Sequence, residues 1–581
     1  MFGARAPLAT TTHRSLAGLA SAALLAMALT AQEAPAAAPV TPSLEVIVSA
    51  HPGTRPVLEG VVLRLGGEIR REIDIIHGFV ARLPEPAVDR LRLAPGVSNV
   101  TVDRPIDLLD RPSSGLEGDS GRPAAVRRAI NADHLLKDGI TGRGVDVALI
   151  DSGVVPVAGL NGDDKVIDGP DLSFEASAEN LRYLDTYGHG THMAGIIAGR
   201  GDGFRGVAPG ARLVSVKVAS ATGATDVSQV LAAIDWVVQH RRDHGLNIRV
   251  LNLSFGTDGT QPYTIDPLSY AAEVAWRRGI VVVAAAGNAG YGSEQLNNPA
   301  YDPYLLAVGA LDDNGTRNSA DDVVPAWSSR GDGIRNPDLV APGKSIVGLR
   351  NPGSEVDLTN PEGRVGERFF RGSGTSQAAA VVSGAAALLL DKRPGLSPDQ
   401  VKALFTSTAS RLQKADPVAQ GAGVLDLRAA AAARTPSATQ RHTPSEGTGS
   451  LEGARGSAHI EMDGDALSGE QDIFGEPWDG ATWARNSWSQ TSWSGGLWNS
   501  KVWAGDSWSR NSWSRNSWSG VVWSRNSWSR NSWSDVYWTR NSWSGSEWEG
   551  EVWARNSWSA DSWSRNSWSR NSWSSAYWGE R

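Results

Sequence analysis

The stretch VDVALIDSG, residues 145–153, is an apolar run that ends in an aspartate and a turn. Similar apolar runs follow it, and segments with the periodicity of amphipathic helices lie between and after them. The runs are VDVALI, RLVSVKV, RVLNLSF, IVVVAAA and LLAVGA, and the helical segments include residues 227–244, 265–278, 375–392 and 398–408. Strands that are apolar throughout are buried on both faces. The pattern therefore predicts an α/β fold in which helices sandwich a parallel sheet.

Three polar residues of this block are candidates for catalysis. Asp151 follows the first strand, His189 lies in YGHGTHMAG, and Ser376 lies in GSGTSQAAAVVSGAAALLL, in the first turn of a long apolar helix. Catalytic groups of open α/β sheets collect at the carboxyl ends of the strands. Each motif alone is typical of a turn, a loop or a helix cap. Together, in the order Asp, His, Ser, the motifs predict a catalytic triad.

These motifs and their order resemble the subtilisin-like serine proteases over most of residues 125–430. The resemblance implies a serine endopeptidase that forms an acyl-enzyme intermediate on Ser376. It implies that His189 is the general base and that Asp151 orients and stabilises the imidazole. The sequences GVAPGA, WSSRG and APG are further landmarks of the family. Protein and peptide substrates follow from this resemblance.

Further site residues are implied by the same resemblance. Asn288, after IVVVAAAG, would donate its side-chain amide to the oxyanion, although it is also typical of a polar turn. Substrate backbone would pair with a strand end that is equally typical of a core strand, formed by Leu253, Ser254, Phe255 and Gly256. Gln377 and Ala380 stand where the family commonly has Met and Pro. Neither position carries proton chemistry. We expect Gln377 to change the local packing and Ala380 to make the helix more regular.

The first residues predict an export signal over residues 1–31. Arg5 and Arg14 precede an apolar run over residues 15–30, and small residues follow it. Since a membrane span needs about 20 residues, an uncleaved anchor is the less favoured alternative. No later segment is apolar for long enough to cross a bilayer. We therefore expect a secreted or extracellular protein, with association at the cell surface left open.

Residues 44–110 form a separate block, which the Pro/Gly/Ser-rich linker 111–124 divides from the catalytic block 125–433. Strand-like runs LEVIV, GVVLRL, GFVARL and VSNVTVD occur here with a predicted helix near residues 85–93. This pattern predicts a small α+β module. It resembles the inhibitory propeptide of the family, which would assist folding and act as an intramolecular inhibitor until it is cut off. An unrelated small domain is the alternative.

Composition and charge exclude several kinds of site. The chain has no cysteine, which excludes a thiol nucleophile, disulfides and thiolate zinc sites. Its net charge of −8 argues against nucleic acid as a partner. The chemistry requires no cofactor. A structural calcium ion is left open without assigned ligands, because no recognised calcium loop includes the oxygen-rich residues Asp163, Asp164, Asp312, Asp313 and Asn314.

The C-terminal region is a repeat. After the linker 434–475, the tail 476–581 carries a tryptophan at every fifth residue from Trp478 to Trp578, most often within Ser-Arg-Asn-Ser-Trp. A period of five places no single stripe of rings on a helix or a flat strand. A solenoid and a disordered polar tract are both compatible with it. The tail is predicted either to bind a cell surface or polysaccharide, or to have a structural or translocation-related role. The alternative function is a surface adhesion protein with an inactive protease domain.

Overall fold

The computed structural model describes residues 43–51, 53–73, 77–92, 94–102, 121–162, 164–176, 178, 181–201, 203–290, 295–316, 318–462, 465–503 and 575–578. The predicted signal 1–31, most of the linker 111–124, Asp163 and most of the repeat tail lie outside the described residues. The chain divides into two units, residues 1–114 and 115–581.

The N-terminal unit is an antiparallel sheet with two helices. Its elements are β1 (Ser43–Ala50), α1 (Arg55–Arg64), β2 (Glu68–Ile73), β3 (Gly78–Pro84), α2 (Glu85–Arg92) and β4 (Val97–Val102). The strand order is β2-β3-β1-β4. Apolar side chains of both helices and of three strands bury a separate core, which includes Val48, Leu58, Phe79, Leu91 and Val100. The α+β pattern of this block and the position of its second helix agree with the sequence analysis.

One strand predicted in this unit is wrong. The run GVVLRL, residues 60–65, belongs to helix α1 and its C-terminal end. Leu58 and Val62 are buried and four residues apart, which places them on one helical face. Pro56 lies in the first turn, where its missing N–H is no loss. Helical spacing of the buried residues therefore prevailed over the local β propensity of valine.

The second unit contains the other elements of the described chain. Its strands are β5 (Asp146–Asp151), β6 (Val166–Asp171), β7 (Arg200–Gly201), β8 (Phe204–Arg205), β9 (Arg212–Lys217), β10 (Ile248–Leu253), β11 (Val281–Ala285), β12 (Leu306–Leu311), β13 (Leu339–Pro342), β14 (Ile346–Leu349), β15 (Arg364–Val365), β16 (Phe369–Gly374), β17 (Glu461–Met462), β18 (Asp465–Ala466), β19 (Trp493–Ser494), β20 (Leu497–Trp498), β21 (Lys501–Val502) and β22 (Ser575–Trp578). Its helices are α3 (Pro123–Ala129), α4 (Asp133–Lys137), α5 (His189–Ala198), α6 (Val227–His240), α7 (Pro267–Arg277), α8 (Glu355–Thr359), α9 (Thr375–Lys392), α10 (Pro398–Thr408), α11 (Pro417–Gln420), α12 (Leu427–Ala432), α13 (Leu451–Arg455) and α14 (Gly480–Ser489).

A 7-stranded sheet in the order β13-β12-β11-β10-β5-β9-β6 forms the centre of this unit. Its neighbouring strands pair in parallel. Helices α5 and α9 pack against each other and on the sheet, and α6 and α7 form a second packed pair. This is the α/β sandwich that the sequence predicts. Because the strands are parallel, the residues that follow β5, β10 and β11 gather at one edge of the sheet.

Part of the predicted linker 434–475 packs against the catalytic block 125–433. Arg455, at the end of α13, is fully buried, and its Nε donates to Asp226 Oδ2 at 2.7 Å. Asp226 also caps helix α6, since its Oδ1 accepts from the backbone N–H of Ser228 at 2.9 Å. Removing one partner of a buried ion pair typically costs about 3–5 kcal/mol, because the other charge is left uncompensated. This buried ion pair therefore stabilises the packing of the described linker residues on the catalytic block.

The first repeat units also pack against the catalytic block 125–433. Helix α14 and the meander β19-β20-β21 carry them, and their buried indoles belong to the core of this unit: Trp483, Trp493, Trp498 and Trp503. The Nε1 atoms of Trp483 and Trp498 both donate to Oδ2 of Asp235, at 3.0 and 2.9 Å. Asp235 lies on helix α6. For the described units up to Trp503 the structure is a helix followed by a three-stranded antiparallel sheet, and the choice between solenoid and disorder concerns the units outside the described residues.

Asp235 makes this packing pH-dependent. Burial raises the pKa of Asp235 to about 6, although hydrogen bonds from Ser487, Trp498 and Trp483 favour its ionised form. The folded protein therefore holds this proton more tightly than the unfolded chain. Its stability should fall as the pH rises from about 4 to 6, by about 3 kcal/mol for a shift of this size.

We expect Asp235→Asn to remove this part of the pH dependence, because an amide is neutral at every pH and its oxygen still accepts from both indoles. The measurement is urea unfolding followed by tryptophan fluorescence at pH 4 and pH 7.5. The exposed Asp243→Asn, just beyond the same helix, is the matched control. Equal pH dependence of the wild type and Asp235→Asn would contradict this expectation.

Among the described residues, we find no helix with both the length and the apolar character needed to cross a bilayer.

Candidate active site

Asp151 and His189 meet at the carboxyl edge of the sheet. Asp151 is the last residue of β5, and His189 is the first residue of α5. Nδ1 of His189 lies 2.8 Å from Oδ1 and 3.0 Å from Oδ2 of Asp151. Both side chains are buried. A carboxylate in this position selects the imidazole tautomer that carries its proton on Nδ1, which leaves Nε2 as the basic atom.

The glycines around His189 allow this close approach. Gly188 has φ +106°, a left-handed conformation that side chains disfavour, and it precedes the helix. A Cβ on Gly190 would lie 2.1 Å from the carbonyl oxygen of Gly153, in the turn after Asp151. Any side chain at position 190 would therefore push α5 away from the end of β5. The motif GHG is required by packing as well as by chemistry.

A second buried carboxylate, which the sequence analysis did not single out, supports this pair. Oδ1 of Asp185 accepts from the hydroxyl of Ser152 at 2.7 Å and from the N–H of Gly188 at 2.6 Å. Its Oδ2 accepts from the N–H of Thr191 at 2.7 Å. Burial raises the pKa of Asp185, and these hydrogen bonds oppose the rise. Asp185 thus joins the end of β5 to the start of α5 around the pair of Asp151 and His189.

Ser376 lies at the same edge of the sheet, in the first turn of α9. It is fully buried and is the second residue of α9, the helix that follows β16 directly. Its hydroxyl donates to the carbonyl oxygen of Ser254 at 2.8 Å, and the Ser254 hydroxyl donates to the carbonyl of Ser376 at 3.2 Å. The start of α9 is therefore tied to the residue that follows β10. In this arrangement the hydroxyl proton of Ser376 faces Ser254.

Asn288 lies three residues after the end of β11 and contacts the residue before Ser376. Its Oδ1 accepts from the backbone N–H of Thr375 at 3.0 Å and from the Thr375 hydroxyl at 3.1 Å. These two bonds fix the direction of the amide, with its oxygen towards Thr375. The sequence indicated Asn288 by its position after the strand together with the family resemblance, and the contact with Thr375 brings it beside the start of α9.

The predicted substrate strand lies at the end of β10. Leu253 and Phe255 are buried in the core of the unit, and Ser254 contacts Ser376. A Cβ on Gly256 would lie 2.7 Å from Cβ of Asn297, so glycine is required there by a close neighbour. The alternative reading as a core strand therefore holds for these side chains. Pairing with substrate concerns the backbone of the same residues and stays a prediction.

A second histidine near the site has a structural role. His192 is fully buried one turn after His189, and its Nε2 lies 3.2 Å from the carbonyl oxygen of Phe370. Burial lowers the pKa of His192 to about 3, and the nearby His189 adds to the effect. His192 is therefore neutral at ordinary pH and packs between α5 and β16. Within the described residues, no group of three or more acidic or histidine side chains could hold a metal ion.

Comparisons with known proteins identify the family of this chain. The model of the subtilase family (Peptidase_S8) matches residues 142–425. Serine protease AprX from Bacillus subtilis (strain 168) is 37% identical over 310 residues, which cover 51% of this chain and 69% of that protein. Subtilisin E from the same organism is 32% identical over 380 residues, which cover 64% of this chain and 85% of that protein. The chain belongs to the subtilase family.

One solved structure is also similar to this subtilase. It is fervidolysin from Fervidobacterium pennivorans, described as a keratinolytic enzyme related to subtilisin, with 25% sequence identity and a TM-score of 0.44. The match covers 68% of this chain and 62% of that one. The family membership rests on the sequence relatives. These relatives show that the protein is a subtilisin-like serine endopeptidase that acts on protein or peptide substrates.

The two departures from the common family pattern lie on α9. Gln377 and Ala380 are both fully buried in this subtilase. Helix α9 runs from Thr375 to Lys392 as one element, which fits the absence of a helix-disrupting proline at position 380. Gln377 brings a polar amide into a buried position directly after Ser376. The local packing around the nucleophile therefore differs from that around a methionine.

Proposed function

We propose that this subtilase is a secreted endopeptidase that cleaves peptide bonds through Asp151, His189 and Ser376, with Asn288 in the oxyanion hole. The observation that carries the proposal is the buried contact of 2.8 Å between Asp151 and His189, at the sheet edge where α9 presents Ser376. Secretion is supported by the signal-like residues 1–31.

The proposed reaction begins with a rotation of the Ser376 side chain. Its hydroxyl leaves the carbonyl of Ser254 and turns towards Nε2 of His189, a movement about one rotatable bond. His189 takes the proton as Ser376 Oγ forms a bond to the scissile carbonyl carbon. Asp151 stabilises the imidazolium that results. Hydrogen bonds in apo proteases often become productive only when substrate is bound, so the contact with Ser254 is compatible with catalysis.

The tetrahedral intermediate places negative charge on the former carbonyl oxygen. We assign its stabilisation to the side-chain N–H₂ of Asn288 and the backbone N–H of Ser376. The imidazolium then donates its proton to the leaving nitrogen, the C–N bond breaks, and an acyl group remains on Ser376. Water, deprotonated by His189, attacks this ester. The C–O bond to Ser376 then breaks, the acid product leaves, and the imidazolium returns its proton to Ser376 Oγ.

The N-terminal unit is proposed as the inhibitory propeptide. Its support is a folded core of its own and a position before the linker 111–124. Self-cleavage in that linker would release the mature enzyme. The partner of the tryptophan tail, a cell surface or a polysaccharide, remains a prediction from its composition.

A fluorophosphonate probe tests the proposed function directly. The probe forms a covalent bond only with a serine that a neighbouring base activates. We expect labelling of the wild type and none of Ser376→Ala, with the labelled peptide located by mass spectrometry. A mature wild type that stays unlabelled would contradict the proposal and favour the adhesion protein with an inactive protease domain.

A further inference from the structure

The strand β22, from the last unit of the tryptophan repeat, pairs with the strand that leads to Ser376. Strand β22 lies antiparallel to β16, with Trp578 opposite Gly372, Tyr577 opposite Ser373 and Ser575 opposite Gly374. Strand β15 pairs with Phe369 and Phe370 and ends before this point. Strand β22 therefore covers the part of β16 that lies nearest the nucleophile.

The edge of β16 at this point is backbone with almost no side chains. Two of its three residues are glycines, and the hydroxyl of Ser373 accepts from the N–H of Ser345, at the start of the neighbouring β14. A bare strand edge accepts any extended peptide by backbone hydrogen bonds. Strand β22 is such a peptide, held in the same chain.

The direction of β22 matches one half of a substrate. Its first residue, Ser575, lies opposite Gly374 and so nearest Ser376, and the strand then runs away from the nucleophile. In a polypeptide attacked at Ser376, the residues after the scissile bond also run away from it, while the acyl half would pair with the predicted substrate strand at Ser254. The backbone of β22 thus follows the course of the leaving half.

The burial of the site is consistent with occupation. Ser376 and His189 both have 0% exposed surface, although a protease must reach its substrate through these two residues. Substrate with several residues after the scissile bond would need the same edge of β16. Two strands cannot pair with one edge at the same time.

We propose that strand β22 is an internal competitor: it occupies the edge of β16 at residues 372–374, where the leaving half of the substrate would bind. This proposal rests on the proposed function. It assigns the last repeat unit a regulatory task, namely to hold the enzyme back from long substrates until β22 is displaced. Tethered segments reach effective concentrations in the millimolar range. A strand that binds with a Kd of about 0.1 mM would then slow such substrates about tenfold.

The test is the double variant Ala576→Pro/Tyr577→Pro in the full-length chain. Proline has no N–H and cannot sustain the pairing with β16. The matched control is Asn526→Pro/Ser527→Pro, at the equivalent positions of the unit 524–528. Two substrates share one acyl half: a p-nitroanilide, whose leaving group is short, and an internally quenched peptide with four residues after the scissile bond. Rates are expressed per active site titrated with fluorophosphonate, on enzyme whose intact mass includes residues 575–581.

We expect the double variant to raise kcat/KM for the long peptide about tenfold and to change the p-nitroanilide rate less than twofold, with the control changing neither. An unchanged rate on the long peptide overturns the proposal. An equal gain on both substrates also overturns it, because β22 would then not compete specifically with the leaving half of the substrate. Loss of residues 575–581 from the active wild type also overturns it. If no variant is titrated or cleaves the p-nitroanilide, the proposed function itself has failed.

Discussion

Replacing Ser376 with alanine is expected to lower kcat by about 10⁶-fold, the loss that removal of the nucleophile causes in subtilisin, a relative. The reason is that alanine has no oxygen to form the acyl-enzyme, and the neighbouring hydroxyl of Thr375 donates to Oδ1 of Asn288. The measurement is kcat on a p-nitroanilide peptide, with circular dichroism to establish that the fold is retained. Ser407→Ala on helix α10, away from the site, is the matched control and should keep its activity.

The same Ser376→Ala protein provides a test of the propeptide. If the linker 111–124 is cut by the enzyme itself, the variant should accumulate as an uncut precursor in a host without other proteases. Normal maturation of the variant would contradict self-processing. Residual peptidase activity above about 1% of the wild type would contradict the role of Ser376.

Replacing Asn288 with alanine should lower kcat by about 10²–10³-fold with little change in KM, because an oxyanion donor acts mainly in the transition state. Asn288→Asp is the informative partner. It keeps an oxygen that accepts from Thr375 N–H and Oγ1, but it has no N–H to donate and adds negative charge near the oxyanion. A thermal melt of both variants separates loss of the Thr375 contact from loss of catalysis.

We expect Asn288→Asp to be as slow as Asn288→Ala while it melts closer to the wild type. Activity of either variant within tenfold of the wild type would remove Asn288 from the oxyanion hole. A large rise in KM alone would indicate a role in ground-state binding instead.

The elements that carry the site could be predicted because their sequence signals are local. Helix α9 begins after Gly374 and ends before Pro394, as its apolar pattern and the proline indicate. Helix α6 ends at His240, earlier than the predicted residue 244, and the chain continues as a turn and a 3-10 helix in which His244 and Gly245 have positive φ. The strand β6 was missed because VIDGPD contains Asp, Gly and Pro, which an edge strand tolerates.

The parts of the site that were not predicted depend on contacts between distant segments. Ser152 and Asp185 are 33 positions apart, and each is an ordinary polar residue of a turn in the sequence. Only the approach of α5 to β5 makes them a bridge around Asp151. Likewise, the residues around Arg455 have the composition of a linker, and nothing in that stretch indicates that its guanidinium finds a buried carboxylate on α6.

The carboxylate of Asp226 has a consequence for any attempt to transplant the repeat. The carboxylate of Asp226 accepts hydrogen bonds both from the first turn of α6 and from Arg455. The contact between the catalytic block and the segment around Arg455 therefore depends on residues of both. A recipient protease without this aspartate would bury the arginine of the graft with Glu452, a partly exposed residue of the same helix, as its countercharge. The tryptophan repeat and its adaptor are therefore unlike a portable tag that can be attached to any host enzyme. They depend on the helix against which they pack.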